Sequence, residues 1–249
     1  GSNRPSSQGD PGHHRATPKP REQVMAITPF YADDSATIYN CDAFELLPQL
    51  SQLDAIITDP PYSSGGTFKG GRSGSINSKY VSSGTQADRP EFTGDNRDQR
   101  SFTIWSTWWM EEAFKAVRDE GHLLVFTDWR QLPTITDAIQ IAGWLWQGVQ
   151  VWHKTTSRPR PNGFRADTEF VVWATKGPMT NHDLKDAIYL PGITKCKTPQ
   201  QRAHTTQKPV EVLEWLGSVV PQGSIICDPF MGSGSTLIAG RNLGHQVIG

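Results

Sequence analysis

The amino-acid sequence predicts a doubly wound α/β fold, a mostly parallel sheet covered by helices on both sides and carrying long inserted recognition loops. Three observations predict it. Short runs that are apolar on both faces alternate with stretches of helical spacing. Two of those runs stop at Pro or Gly turns. The 249 residues, 36% of them hydrophobic, suffice for one such domain with a real core.

The elements follow in order. Residues 1–24 are rich in Pro, Ser, Gly and Arg without a hydrophobic period and open on Gly1-Ser2, so they read as a disordered extension or tag remnant; the domain is expected over 25–249. A strand is expected at 37–39, a short helix at 43–50, and a continuous apolar strand at 55–58, stopped by Pro60-Pro61. Trp105, Trp109, Ala113 and Val117 recur at helical spacing, which predicts a helix over 104–117 closed by Gly121. Next come a strand at 122–126, a helix from near Pro133 to Gly143, and β-rich runs at 149–153 and 170–174. A helix at 209–219, a strand at 224–227, a glycine turn into another helix and a strand beginning at 246 complete the pattern. Two stretches break the rhythm. Residues 63–100 hold seven Gly and seven Ser, too many for a simple connection, and 175–205 are irregular around Pro178, Pro191 and Pro199.

Composition narrows the function. A formal charge of −1 argues against a wholly basic nucleic-acid coat protein. That value is a cancellation: residues 153–208 carry ten Lys and Arg against four acids, net +6, and the remainder is net −7. Within this basic region Lys154, Arg158, Arg160, Arg165, Lys195, Lys197 and Arg202 are expected to face nucleic acid, the arginines stiffened by Pro159 and Pro161. No apolar run is long enough for a bilayer span, and residues 1–24 lack the apolar centre of a signal peptide. Cys41, Cys196 and Cys227 fit neither a disulfide framework nor a zinc knuckle, so no metal and a reducing cytoplasm are expected.

Two motifs carry chemistry. Asp59-Pro60-Pro61-Tyr62 follows a buried-looking strand, and ligands of open parallel sheets bind outside the carboxyl ends of strands. Pro61 biases Pro60 away from helical dihedrals, so the Pro60 carbonyl is free to accept beside the Asp59 carboxylate, with Tyr62 offering a ring. Two acceptors and a ring make a cradle for a planar group bearing NH₂. By average residue usage the tetrapeptide arises by chance in roughly one chain of this length in a thousand. The second motif, Asp228-Pro229-Phe230-Met231-Gly232-Ser233-Gly234, joins a strand to a helix. It lacks the third glycine of a dinucleotide fingerprint and the Gly-Lys-Ser/Thr of a phosphate loop, so a nucleoside ligand without phosphate fits better.

These two motifs, with His204-Thr205-Thr206-Gln207-Lys208-Pro209 before the second, resemble the S-adenosylmethionine-dependent DNA amino-methyltransferases, and their order resembles the β class. The resemblance covers about residue 35 to the end. It implies a Rossmann-like methyltransferase fold, S-adenosylmethionine as cofactor and double-stranded DNA as partner, with a homodimer, a cognate restriction nuclease and a prokaryotic or phage-host cytoplasm as its usual setting. It assigns Asp59, Pro60, Pro61 and Tyr62 to a flipped base. Asp228, Phe230, Gly232 and Gly234 fall to the cofactor, Thr206, Gln207 and Lys208 to its methionine end, and Asp42 to its adenine; an N-cap is the plain alternative for Asp42. Thr205 and Thr168-Glu169 depart from the family's usual Pro and His-Glu, and the sequence stops at Gly249 before the acidic residue that the resemblance implies for the cofactor ribose, so either it is truncated or it lacks that clasp.

An adenine amino nitrogen has its lone pair drawn into the ring, so hydrogen bonds to Asp59 and the Pro60 carbonyl must localise that pair. An aspartate before Pro-Pro-Tyr resembles the adenine-N6 branch, a serine the cytosine-N4 branch. Adenine-N6 methylation is thus the leading expectation, with cytosine-N4 methylation or a catalytically silent DNA-binding relative as alternatives.

Overall fold

A computed structural model describes residues 26–62, 97–155, 157, 159–180, 187–197 and 207–249. The N-terminal extension, most of the 63–100 insert, Arg158, Arg202 and Thr206 lie outside the described residues. The chain runs β1 (Tyr31–Ala32), β2 (Ala36–Ile38), α1 (Ala43–Leu46) with a 3-10 turn over Leu47–Gln49, β3 (Leu53–Thr58), α2 (Gln99–Ala116) and β4 (Val117–Thr127). It continues through α3 (Leu132–Ile141), β5 (Leu145–Lys154), β6 (Thr168–Thr175), β7 (Ile193–Cys196), α4 (Val210–Gly217), β8 (Ile225–Cys227), α5 (Ser235–Asn242) and β9 (Gln246–Ile248).

The strands form one sheet in the order β1-β2-β9-β8-β3-β4-β6-β5-β7. From β2 to β4 every pairing is parallel. The run at 170–174 departs from the parallel pattern: β6 lies antiparallel between β4 and β5, while β5 and β7 are parallel. Alternation within the central strands shows why helices must cover both faces. Ile56, Leu123, Val125, Val172 and Ala174 enter the core beneath α2 and α3. Their neighbours Ala55, Ile57, Leu124, Phe126 and Val171 enter the core with Val212, Leu213 and Leu216 of α4. The doubly wound expectation holds.

Helix boundaries move. The helix predicted to close at Gly121 ends at Ala116: Val117 is already extended (φ −83°, ψ 142°) and opens β4. Gly121 sits instead where the β3–β4 register jumps, from Leu53 opposite Val117 to Ala55 opposite His122. The apolar spacing misled because Val117 continues the helical stripe while belonging to the sheet. At its other end α2 reaches back to Gln99, inside the predicted insert, because Asp98 caps it by accepting from the Ser101 amide at 3.0 Å. The expected helix over 43–50 is α-helical only to Leu46, and Pro48 stands in the 3-10 turn that follows.

Candidate active site

The two motifs come together because β3 and β8 are parallel neighbours, Ile56 lying opposite Cys227, so Asp59 and Asp228 leave the sheet side by side. Here the chain changes direction across the sheet, moving from β3 to β4 on one side and from β8 to β9 on the other. This is the switch point at which open α/β sheets bind ligands. The ends of β2 and β4 lie at the same edge, and so does the beginning of β6, because that strand is reversed. Together they wall a cavity of about 790 Å³ that Asp59, Tyr62, Asp128, Glu169, Lys208 and Asp228 all line.

The glycine turn forms one end of this cavity. Gly232 and Gly234 take φ of +52° and +77°, and Gly234 leads directly into α5. Asp228 is 2% exposed and accepts from the Thr58 hydroxyl at 2.6 Å and the Phe230 amide at 3.1 Å. Burial raises its carboxyl to about 6, against the opposing hydroxyls of Thr236 and Thr58 and the Phe230 amide. The Phe230 ring is pinned between Trp105 and Trp109 of α2, centroids 5.5 and 5.3 Å away. The volume suits a nucleoside-sized ligand, and the apolar Phe230 wall, the glycine turn and the buried Asp228 suit S-adenosylmethionine without phosphate ligation. Asp42 is not among the residues lining the cavity: its Oδ1 accepts from the Phe44 amide at 2.9 Å as the cap of α1, and Tyr39, Asn40 and Cys41 provide that wall. The N-cap alternative is the one the structure displays.

The other end is a buried set of charges. The Lys208 ammonium lies 2.6 Å from Asp59 Oδ2 and 3.3 Å from Glu169 Oε2, and the second oxygen of Glu169 pairs with Lys154. Lys208 is 8% exposed and sits over the rings of Tyr62 and Phe126. Burial works against every charge here. It raises the Asp59 carboxyl despite Lys208, whereas for Glu169 the two lysines outweigh burial and hold the carboxyl below its usual range. Burial would lower the Lys208 ammonium, but Asp59 and Glu169 overcome it and raise it. Asp59 Oδ1 and the Tyr62 hydroxyl are buried and make no hydrogen bond of ordinary geometry among the described residues, although the two act on each other, and Glu169 Oε2 meets Lys208 as an ion pair without a well-formed hydrogen bond. Lys208, expected beside the cofactor, lies against Asp59 and Tyr62. In the sequence Glu169 stands out only within the Thr168-Glu169 departure; its signal is an acid near the start of an otherwise apolar strand.

The expected nucleic-acid set divides. Lys154 turns inward onto Glu169 and over the Trp152 ring, so it is not a free phosphate contact. Arg160, Arg165, Lys195 and Lys197 are exposed, and β7 brings the two lysines to the cavity edge of the sheet, with Cys196 opposite Lys154. Trp129 also lines the cavity yet is 68% exposed, and Arg130 beside it is clamped by both carboxylate contacts to Asp128 Oδ2, at 2.7 and 3.0 Å. Neither was singled out from the sequence. Among the described residues no group of three or more His, Cys, Asp and Glu is placed to hold a metal ion.

Sheet order, switch-point cavity, glycine turn and Asp-Pro-Pro-Tyr define the class of Rossmann-like methyltransferases acting on an amino group. A family model for DNA methylase, of the N6/N4 methyltransferases, matches residues 53–249, and the chain belongs to that family. It is similar to Type II methyltransferase M2.LlaDCHI of Lactococcus lactis subsp. cremoris, 27% identical over 91% of this chain and 88% of the relative. It is likewise similar to M2.MboI of Moraxella bovis, 28% identical over 90% and 86%. The crystal structure of the M1.HpyAVI–SAM complex superposes with a TM-score of 0.61 at 26% identity, covering 86% of this chain and 91% of that one. PvuII DNA methyltransferase (cytosine-N4-specific) matches in fold, TM-score 0.66 at 15% identity over 88% and 83%. The chain is an S-adenosylmethionine-dependent DNA amino-methyltransferase.

Proposed function

We propose that the protein methylates the exocyclic N6 amino group of adenine at a specific DNA sequence, with Asp59, Pro60, Pro61 and Tyr62 forming the base site. The observation that carries this reading is the buried Asp59 Oδ1, which makes no hydrogen bond of ordinary geometry where it lines a cavity large enough for cofactor and base. A buried acceptor left unpaired is costly and suits a donor supplied by substrate. Asp59 Oδ1 and the Pro60 carbonyl accept the two amine hydrogens, concentrating the lone pair on nitrogen and stabilising the positive charge that develops there. Asp59, its carboxyl raised by burial, then takes the departing proton. S-adenosylmethionine, held by the Asp228 to Gly234 turn, Gln207 and the wall at Tyr39 to Cys41, supplies when bound a methyl group already activated on a sulfonium.

The target atom lies inside the duplex, so the base must leave the stack. Tyr62 offers the inner face for stacking, the exposed Trp129 an outer one, and Arg160, Arg165, Lys195 and Lys197 the phosphate contacts. The Type II relatives support a cytoplasmic setting with a cognate restriction nuclease, and a homodimer would show in sedimentation at micromolar concentration. DNA incubated with protein and cofactor, digested to nucleosides and read by mass spectrometry, tests the reading. N6-methyldeoxyadenosine is expected; N4-methyldeoxycytidine alone would overturn it.

A further inference from the structure

We propose that Glu169 and Lys154 are positioning residues for methyl transfer: through Lys208 they fix one oxygen of Asp59, so that the carboxylate presents a single open oxygen, Oδ1, to the amine. This rests on the reading of Asp59 as the amine acceptor. The observation is an alternating row of charges, Asp59, Lys208, Glu169, Lys154, in which each inner member touches both neighbours. Its members come from separate parts of the sheet. Asp59 follows β3, Glu169 is the second residue of β6, Lys154 ends β5, and Lys208 precedes α4 and bridges across the end of β4. Antiparallel pairing sets Trp152 opposite Glu169, which brings Lys154 to the same sheet edge. Four residues brought to one point by three strands and a connecting segment are not an incidental surface pair.

The stoichiometry supports the assignment. A single lysine between two buried carboxylates would leave the cluster net negative and the acids repelling each other across it. Lys154 restores neutrality from the far end, so Lys208 is not drawn wholly to Glu169 and stays on Asp59 Oδ2. Aromatic faces fill the remaining surroundings: Tyr62 and Phe126 lie under Lys208, and Trp152 under Lys154. The charged and titratable groups facing Asp59 are Lys208 from the segment before α4, Glu169 from β6, Tyr62 from its own turn and Asp228 from β8, with Asp128 of the β4 end acting on Tyr62. Of these, Lys208 and, more weakly, the Tyr62 hydroxyl draw the Asp59 carboxyl down, and Glu169 pushes it up.

The two partners must therefore move the acidic limb of the rate profile in opposite directions. Lys208→Met removes the cation and is expected to shift the limb of kcat/KM upward by about 1 pH unit or more. Glu169→Gln removes a repelling charge and shifts it downward, while kcat falls at least tenfold because Lys208 loses its second anchor. Lys154→Gln lowers kcat several-fold without changing the affinity for DNA. Lys208→Arg keeps the charge and keeps the limb near its wild-type position. Calorimetric S-adenosylmethionine affinity within about twofold of wild type certifies that each variant is folded. ¹³C NMR of protein labelled at the aspartate carboxyl, assigned with Asp59→Asn, follows the same titration without catalysis. Limbs and carboxyl shifts that stay put, or move together in Lys208→Met and Glu169→Gln, overturn the proposal. A wild-type chain that methylates no DNA base sinks the reading of the site instead, and the NMR titration still decides the pairing.

Discussion

The Thr58 hydroxyl donates to Asp228 Oδ1 at 2.6 Å, joining the last residue of β3 to the first residue after β8, 170 positions away in the chain. The bond is buried and ties the Asp59–Tyr62 turn to the Asp228–Gly234 turn. Asp228 titrates near 6 instead of its ordinary 3.8, so the folded protein binds more protons than the unfolded chain between those values. Stability accordingly falls as pH rises through this window, by about 3 kcal/mol at roughly 1.4 kcal/mol per unit. Thr58→Val deletes a donor that favours the charged form. We expect a loss of about 1.5–3 kcal/mol at pH 8, where Asp228 is ionised, and a smaller one at pH 5, where it is protonated. Urea unfolding at the two pH values checks this, and equal losses would refute it.

Asp59→Ala removes the open acceptor while leaving the glycine turn untouched. Methyl transfer should fall by a factor of about 10²–10⁴ or more, the range for losing a positioned proton acceptor. Cofactor affinity should stay within a few-fold, because Lys208 keeps Glu169 as partner and the row loses only its end. Radiolabelled methyl incorporation and calorimetry separate the two quantities. Activity surviving within a few-fold would mean that the amine is bound elsewhere.

What the sequence revealed was what period and punctuation encode. Ala55 to Thr58 reads as a strand buried on both faces and is one, and Pro60-Pro61 stops it where expected. The edge strand Ile193–Cys196 has too few residues to show a period amid Pro191 and Gly192, and β1 has only two. The charged row was illegible for a different reason. Lys208 meets Asp59 across 149 positions, and nothing local to either distinguishes a lysine aimed at a carboxylate from one aimed at a ligand. Lys154 looked like its basic neighbours until the reversed strand β6 set Glu169 beside it. Sequence spacing located the cavity; the pairing of charges within it depends on strand order.

Gly234→Ala tests the cofactor turn. At φ +77° an alanine is strained by about 1–2 kcal/mol, yet an added Cβ meets no atom within 4 Å, so the cost is conformational and not steric. The turn, closed by the Gly234 amide on the Met231 carbonyl at 2.8 Å, must shift to relieve it, and S-adenosylmethionine affinity should drop about tenfold. Gly223→Ala is the matched control: φ is +86°, the space around it is equally open, and it lies in a different turn, before β8, whereas Gly234 sits between the cavity-lining Ser233 and Ser235. It should cost similar stability and leave affinity unchanged. Equal affinities in the two variants would separate the turn from the cofactor.

The basic residues should part company in the salt dependence of DNA binding. Arg160 and Arg165 are exposed, and each phosphate contact contributes roughly 0.9 to the slope of log K against log salt. Arg160→Ala with Arg165→Ala should therefore flatten the slope by about one to two units. Lys154→Ala should leave it unchanged, because that ammonium is turned onto Glu169 and lies over the Trp152 ring. Turnover should respond in the reverse order, falling in the Lys154 variant at saturating DNA and recovering in the arginine variant once DNA is saturating. Binding isotherms between 50 and 200 mM salt, the range over which such contacts register, decide between them. A flattened slope in the Lys154 variant would return that lysine to the DNA surface and dissolve the charged row as a unit of the active site.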